Sequence, residues 1–121
     1  MKRGLVVTIA LQGDYGKPRP ALIVQSDYFS GHPSVTVLPI TSELRQTPLF
    51  RIDVEPESGN GLRKRSQIMV DKIQTVPAEK IGKAIGILDE ATMMEVNRAL
   101  ALWLGFTLDY RQILTKAQAP C

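Results

Sequence analysis

Apolar runs and alternating patterns fill most of the first 88 residues and predict a series of short β-strands. Residues 5–11 form a β-branched apolar run, and residues 21–25 are almost wholly apolar, as expected of a central strand. Further strands are predicted at residues 35–42, 49–54, 66–73 and 84–87. Pro39 has no backbone N–H, so it indicates a sheet edge or a bulge near the end of the third strand.

The pattern changes to a helical period after residue 88. Asp89 suits the N-cap of a helix, and Gly105 suits the position after its last turn. Large apolar residues recur at the spacing of one helix face: Met93, Val96, Leu100 and Trp103. A helix of about 16 residues would be about 24 Å long and would cover one side of a small sheet. The apolar residues at 101–106 could also contact a second copy of the chain.

Length and composition predict a single domain at residues 1–106, followed by a loosely ordered tail at residues 107–121, where periodicity is weak. No apolar run is long enough to span a membrane, and the N-terminus lacks the apolar core of a signal peptide. We therefore expect a cytoplasmic protein with no membrane partner. The net charge of +3 permits a nucleic-acid partner without requiring one. The one cysteine, Cys121, cannot form an internal disulfide.

Arg19 lies between two prolines, directly before the predicted central strand. A residue that precedes proline is excluded from the α region, so both Lys17 and Arg19 should be extended. Arg19 would thus carry a permanent charge on a stiff backbone at the start of a buried strand. Taken alone, the stretch favours a surface arginine beside a turn.

The residue types that several common mechanisms need are missing from the chain. His32 is the one histidine, so no histidine pair is available, and no His/Cys cluster can hold zinc. No Gly-rich loop followed by Lys-Ser or Lys-Thr is present to hold a phosphate. The polar groups that remain are an arginine, two hydroxyls at a strand end, a basic triplet and an aspartate: Arg19, Thr41, Ser42, Arg63, Lys64, Arg65 and Asp71. These are the parts of an anion site, such as a phosphodiester site, that uses neither metal nor cofactor.

Five segments carry a family resemblance, in this order along the chain: Lys2-Arg3-Gly4, Arg19-Pro20-Ala21-Leu22-Ile23-Val24, Pro39-Ile40-Thr41-Ser42, Ser66-Gln67-Ile68-Met69-Val70-Asp71, and a helix after Leu88-Asp89. Together they span residues 2–106 and resemble the MazF/PemK toxins, the endoribonuclease halves of bacterial toxin-antitoxin pairs. The resemblance implies a mainly β fold with a C-terminal helix, a compact SH3-like β-barrel of the MazF/PemK/CcdB type. It also implies a homodimer that cleaves single-stranded RNA without metal and is neutralised by a small, partly disordered antitoxin. Because the cognate antitoxin must cover Arg19, we expect its disordered segment to be acidic.

The resemblance also implies roles for individual residues. Arg19 matches the catalytic arginine of the family and Thr41 its catalytic threonine, with Ser42 as a neighbour. Asp71 falls on a position that helps to shape the RNA site in some members, although Met69 stands where some of them carry an arginine. We expect RNA contacts from six polar residues: Lys17, Ser42, Arg63, Arg65, Gln67 and Asp71.

Two other functions stay open on the sequence. A gyrase-poisoning toxin of the same fold would act by binding through its terminal helix, and would not need Arg19 and Thr41 together. An SH3-like binding module would carry the basic triplet (Arg63, Lys64 and Arg65) only as a solvated turn. Taken singly, the triplet favours that solvated turn, and Thr41 favours an ordinary strand end. A functional role for either is supported only by its position in the ordered set of segments that resemble the family.

Overall fold

The computed structural model describes residues 2–10 and 17–106. In these ranges the chain forms seven β-strands and one α-helix: β1 (Leu5–Ile9), β2 (Arg19–Ile23), β3 (Ser34–Thr41), β4 (Arg51–Val54), β5 (Ser66–Met69), β6 (Gln74–Pro77), β7 (Ile81–Ile87) and α1 (Glu90–Leu104). Short 3₁₀ turns lie at Asp27–Phe29, Val70–Lys72 and Ala78–Lys80. The predicted tail at residues 107–121 lies outside the described residues, so the division of the chain at residue 106 stays a prediction.

The strands form an antiparallel sheet in the order β4-β5-β3-β2-β1-β7, and β6 pairs with the first half of β3. β2 lies between β1 and β3, which confirms that this apolar run is a central strand. Successive side chains of β1 and β2 point to opposite faces and enter two separate hydrophobic clusters. One cluster contains Val6, Leu22 and the inner face of α1, and the other contains Val7, Ala21 and Ile23. Because both faces are covered, the strands need apolar residues at nearly every position.

All six predicted strands differ from the structure at one or both ends, and β6 was not predicted as a strand. Two of these differences have a clear structural cause. The strand predicted at residues 66–73 ends at Met69, where the 3₁₀ turn Val70–Lys72 redirects the chain into β6. Val70 is fully buried within that turn, so the alternation of apolar and polar residues continues past the end of the strand. β7 starts at Ile81 rather than at residue 84, because Ile81 already pairs with Ile9 of β1.

Helix α1 has the ends that the sequence predicts. The Asp89 carboxylate accepts a hydrogen bond from the Thr92 backbone N–H at 3.4 Å, and Gly105 closes the helix with a left-handed φ of 80°. Val96 and Leu100 are buried against the sheet, whereas Trp103 is 49% exposed and packs its ring 5.9 Å from that of Phe50. No helix in the described ranges has the length and apolar content needed to cross a lipid bilayer.

Candidate active site

A cleft opens where β2 and β3 stop pairing. Their antiparallel ladder runs from Ile23 opposite Val37 to Ala21 opposite Pro39, and β3 then pairs with β5 instead. Pro20 would be the next residue of β2 in that ladder, directly after the pair of Ala21 and Pro39, so the two strands carry prolines at adjacent positions. A proline cannot donate to a ladder, and this favours the separation of the strands here.

The separated strand ends bring the predicted catalytic residues together. Continuing the register by two residues from Ala21 and Pro39 would place Arg19 opposite Thr41. Both side chains line a cleft of about 800 Å³, which we call the β2–β3 cleft. Ser42, Arg63 and Lys64 line the same cleft, so five of the polar residues selected from the sequence meet at one place.

Arg19 is the first residue of β2 and pairs with Ile9 of β1, so its backbone is fixed while its side chain is exposed. Among the residues that the structure describes, its guanidinium has no hydrogen-bond or ion-pair partner. An unpaired guanidinium keeps all five N–H donors for a ligand, and its planar fork fits two oxygens of one phosphate. The cleft therefore contains a guanidinium whose donors are available to an anion.

Thr41 is the last residue of β3, and its hydroxyl already has one bond that orients it. The Thr41 Oγ1 atom accepts a hydrogen bond from the Glu43 backbone N–H at 3.0 Å. This contact uses an oxygen lone pair and leaves the hydroxyl hydrogen free to donate. Thr41 and Arg19 can thus both donate to negative charge in the cleft.

The connection between β4 and β5 carries Arg63 and Lys64 to the rim of the cleft. Asn60 is buried within this connection, where its side-chain oxygen accepts from the N–H groups of Glu57 and Leu62. Its amide nitrogen donates to the Glu55 carbonyl at 2.9 Å. A single side chain therefore holds the turn closed. The turn also lies directly against β7, where a Cβ atom added to Gly86 would lie 2.2 Å from the Asn60 carbonyl carbon.

We expect Gly86→Ala to lower the free energy of unfolding by about 1–3 kcal/mol, because the added methyl group overlaps the Asn60 backbone. Gly59→Ala is the matched control, since a Cβ atom there meets nothing within 4 Å. Urea denaturation of both variants measures the difference. Equal midpoints for the two variants would contradict the close contact between the turn and β7.

Comparison with known proteins decides the family. Residues 2–104 match the family described as "PemK-like, MazF-like toxin of type II toxin-antitoxin system". The chain belongs to this family.

Curated and solved relatives agree with this assignment. The chain is 44% identical over 106 residues to a probable endoribonuclease MazF of Mycolicibacterium smegmatis, covering 87% of this chain and 97% of the relative. It is 34% identical to endoribonuclease MazF3 of Mycobacterium tuberculosis, covering 78% of this chain and 87% of the relative. A solved mycobacterial endoribonuclease, in complex with its cognate antitoxin, superposes on this chain with a TM-score of 0.76 at 27% sequence identity. The superposition covers 90% of this chain and 99% of the solved chain.

These matches confirm the predicted fold, a mainly antiparallel β structure of the MazF type with a C-terminal helix. They also confirm the predicted toxin endoribonuclease and do not favour the gyrase-poisoning toxin or the binding module. The assignment of individual site residues in this MazF-type chain rests on the geometry above and stays a prediction.

Four of the predicted RNA contacts lie away from the lining of the β2–β3 cleft. Arg65 and Gln67 line a second cavity of about 1110 Å³, and the Arg65 Nε atom donates to a Glu55 carboxylate oxygen at 3.0 Å. Lys17 is exposed, two residues before Arg19. Asp71 lies in the 3₁₀ turn that packs against α1, and its Oδ1 atom is buried with no hydrogen-bond partner in the described part of the chain.

Three residues that hold segments next to this MazF-type cleft are not among the candidates predicted from the sequence. Asn60 precedes Gly61, and an Asn-Gly pair in a turn is a signal for a side chain that bonds its own backbone. Arg45 and Arg51 belong to a polar network around Gln67, and no local pattern marks them. Within the described residues, no three His, Cys, Asp or Glu side chains come together as metal ligands.

Proposed function

We propose that this toxin endoribonuclease cleaves single-stranded RNA in the β2–β3 cleft by attack of a ribose 2′-hydroxyl on the adjacent phosphorus. The observation that carries the proposal is the meeting of Arg19 and Thr41 on the walls of one basic cleft. The bond from phosphorus to the 5′-oxygen breaks as the bond to the 2′-oxygen forms. The products are a 2′,3′-cyclic phosphate and a 5′-hydroxyl end.

The two side chains act on the charge that develops during this step. Negative charge increases on the phosphoryl oxygens in the transition state. The Arg19 guanidinium binds two of these oxygens through its fork, and the Thr41 hydroxyl donates to another. The backbone of Arg19 and the hydroxyl oxygen of Thr41 are held in place before the substrate arrives, and this reduces the reorganisation needed during the reaction.

Proton transfer is assigned to solvent rather than to Arg19. The 2′-hydroxyl must lose a proton as it attacks, and the 5′-oxygen must gain one as it leaves. Arginine keeps its proton in proteins, so Arg19 serves better as a fixed positive charge than as a base. Water in the open cleft can take up the first proton and supply the second.

Incubation of the purified protein with single-stranded RNA in EDTA tests the reaction. We expect cleavage at the same rate with and without the chelator, because Arg19 and Thr41 supply the charge and the donors that a metal would otherwise provide. Analysis of the new ends should find a 2′,3′-cyclic phosphate and a 5′-hydroxyl. Loss of activity in EDTA that magnesium restores would contradict the proposal.

The basic triplet is proposed to attract RNA to the cleft. Arg63 and Lys64 line it, whereas Arg65 pairs with the exposed Glu55 carboxylate, so the first two should matter more. Exposed charges of this kind act mainly on association rate, and salt screens them.

We therefore expect the double variant Arg63→Ala/Lys64→Ala to associate with RNA more slowly than the wild type at low salt, and the difference to shrink at high salt. Arg65→Ala is the matched control and should change the rate less. Stopped-flow measurements across a salt series give both comparisons. Equal rates for the double variant and the wild type at low salt would assign these residues to a solvated turn.

Assembly and inhibition complete the proposal. Large apolar side chains are exposed at the end of α1, with Leu102 at 62% and Phe106 at 53% exposure, and this supports a homodimer. The inhibitor of this chain would be an antitoxin whose disordered acidic segment becomes ordered along the β2–β3 cleft. By covering Arg19, such a segment would compete directly with the RNA phosphate.

A further inference from the structure

Gln67 occupies the middle of the strand layer beside the proposed catalytic threonine. It lies on β5, directly opposite Thr41 of β3 on one side and opposite Asp53 of β4 on the other. Directly opposed residues of antiparallel strands project to the same face of the sheet. The side chain of Gln67 is therefore on the Thr41 face, and it is only 6% exposed.

Every hydrogen-bonding position of the Gln67 amide is used within the protein. Its Oε1 atom accepts from the backbone N–H of Arg45 and from the Nη1 atom of Arg51, both at 3.0 Å. Its Nε2 atom donates to the Arg45 carbonyl and to a carboxylate oxygen of Asp53, both at 2.9 Å. A side-chain amide has two lone pairs and two N–H donors, so none remains for RNA.

The two hydrogen bonds between the Gln67 side chain and the Arg45 backbone imitate the backbone pairing of two neighbouring strands. Gln67 accepts from the Arg45 N–H and donates to the Arg45 carbonyl, as the backbone of a strand would. Arg51 holds the same segment two residues earlier, by donating to the Glu43 carbonyl at 2.9 Å. Residues 43–45 follow β3 without belonging to a strand, and this polar network fixes them.

The fixed segment controls the hydroxyl of Thr41. The N–H of Glu43 donates to the Thr41 Oγ1 atom, so the position of Glu43 decides which lone pair is occupied and from which direction the hydroxyl hydrogen is excluded. Gln67 thus holds residues 43–45 at both ends, directly at Arg45 and through Arg51 at Glu43. The amide thus acts on the hydroxyl without contacting the reacting atoms.

We propose that Gln67 is a positioning residue that aims the Thr41 hydroxyl by bracing residues 43–45, and that it does not contact RNA. The inference rests on the proposed role of Thr41. Because a displacement of about 1 Å can cost about a hundredfold in rate, loss of the brace should lower kcat while RNA binding persists.

The test compares Gln67→Met with Gln25→Met, a matched control. Gln25 also braces a loop through its side-chain amide, donating to the carbonyls of Phe29 and Ser34, and it does not line the β2–β3 cleft. We expect Gln67→Met to lower kcat about tenfold to hundredfold, with KM changed less than about threefold. Gln25→Met should leave both constants near those of the wild type, at equal oligomeric state. Equal kinetics for the two variants would overturn the inference.

A double variant separates this inference from the proposed function. If Gln67 acts through Thr41, adding Gln67→Met to Thr41→Ala should lower kcat by less than about threefold. A full additional loss would mean that Gln67 acts elsewhere, even when Thr41→Ala alone behaves as expected. Full activity of Thr41→Ala alone would instead contradict the proposed function.

Hydrogen exchange of the wild-type protein tests the inference even if Gln67→Met does not fold. The amide of Arg45 should exchange at least about a hundredfold more slowly than in an unfolded chain, because its N–H is held by Gln67. Exchange at the unfolded rate would show that the brace is absent in solution and would overturn the inference.

Discussion

Arg19→Ala should reduce the rate of RNA cleavage by at least about 10²–10³, while the protein remains folded. In the proposed mechanism the guanidinium binds two phosphoryl oxygens at once, and Arg19 lines the cleft where β2 and β3 separate. Arg19→Lys should restore little activity, because a point charge on a flexible stem cannot reproduce the planar fork. Single-turnover cleavage of a short RNA by the three proteins measures the effect.

The fold should tolerate this loss because Arg19 is exposed and has no partner within the described part of the chain. Surface substitutions of this kind change the free energy of unfolding by about 0.5 kcal/mol or less. Arg98→Ala removes the same charge from an exposed position on α1 and is the matched control. Near-full activity of Arg19→Ala, or an equal loss in Arg98→Ala, would contradict the proposed mechanism.

Thr41→Ala should reduce cleavage by about 10²-fold, and Thr41→Ser should keep part of the activity. The alanine variant loses the hydroxyl, whereas the serine variant loses only a methyl group that serves strand packing. Serine is also less restricted in χ1, so its hydroxyl is aimed less well and full activity is not expected. The kcat of each variant on the same RNA gives the comparison.

Thr75→Ala is the control for loss of a strand hydroxyl. Thr75 lies on β6 and bonds through its hydroxyl to Thr36 at 2.9 Å, and it does not line the β2–β3 cleft. Its removal should leave cleavage unchanged. If Thr41→Ala and Thr41→Ser are equally active, the hydroxyl has no part in the reaction.

Local patterns predicted most of the elements because each of them depends on near neighbours. The ends of α1 follow from Asp89 and Gly105, which act within one helical turn. β2 was recognisable because a strand with both faces buried needs a continuous apolar run. The turn at Val70–Lys72 was missed because Val70 is as buried in the turn as it would be in a strand, so the pattern carries no sign of the bend.

The candidate site was predictable only in part, because its residues come from distant parts of the chain and local patterns report only near neighbours. Arg19 and Thr41 could be selected through the order of the segments that resemble the family, yet local patterns do not show that they share a cleft. Gln67 is one of the RNA contacts predicted from the sequence, whereas its hydrogen bonds in the fold all go to the protein itself. A polar residue on a strand gives no indication of whether its partners are a ligand or the protein itself.

The sequence by itself determined the strand and helix types, the ends of α1 and the residue types available for chemistry. The tertiary structure decided which of those residues meet. The loss of pairing beside Pro20 and Pro39 opens the cleft, and the close contact of Gly86 with Asn60 holds the turn that brings Arg63 to it. These contacts join positions far apart in the chain. They depend on the register between β2 and β3 and on the absence of a side chain at Gly86, and a local pattern encodes neither.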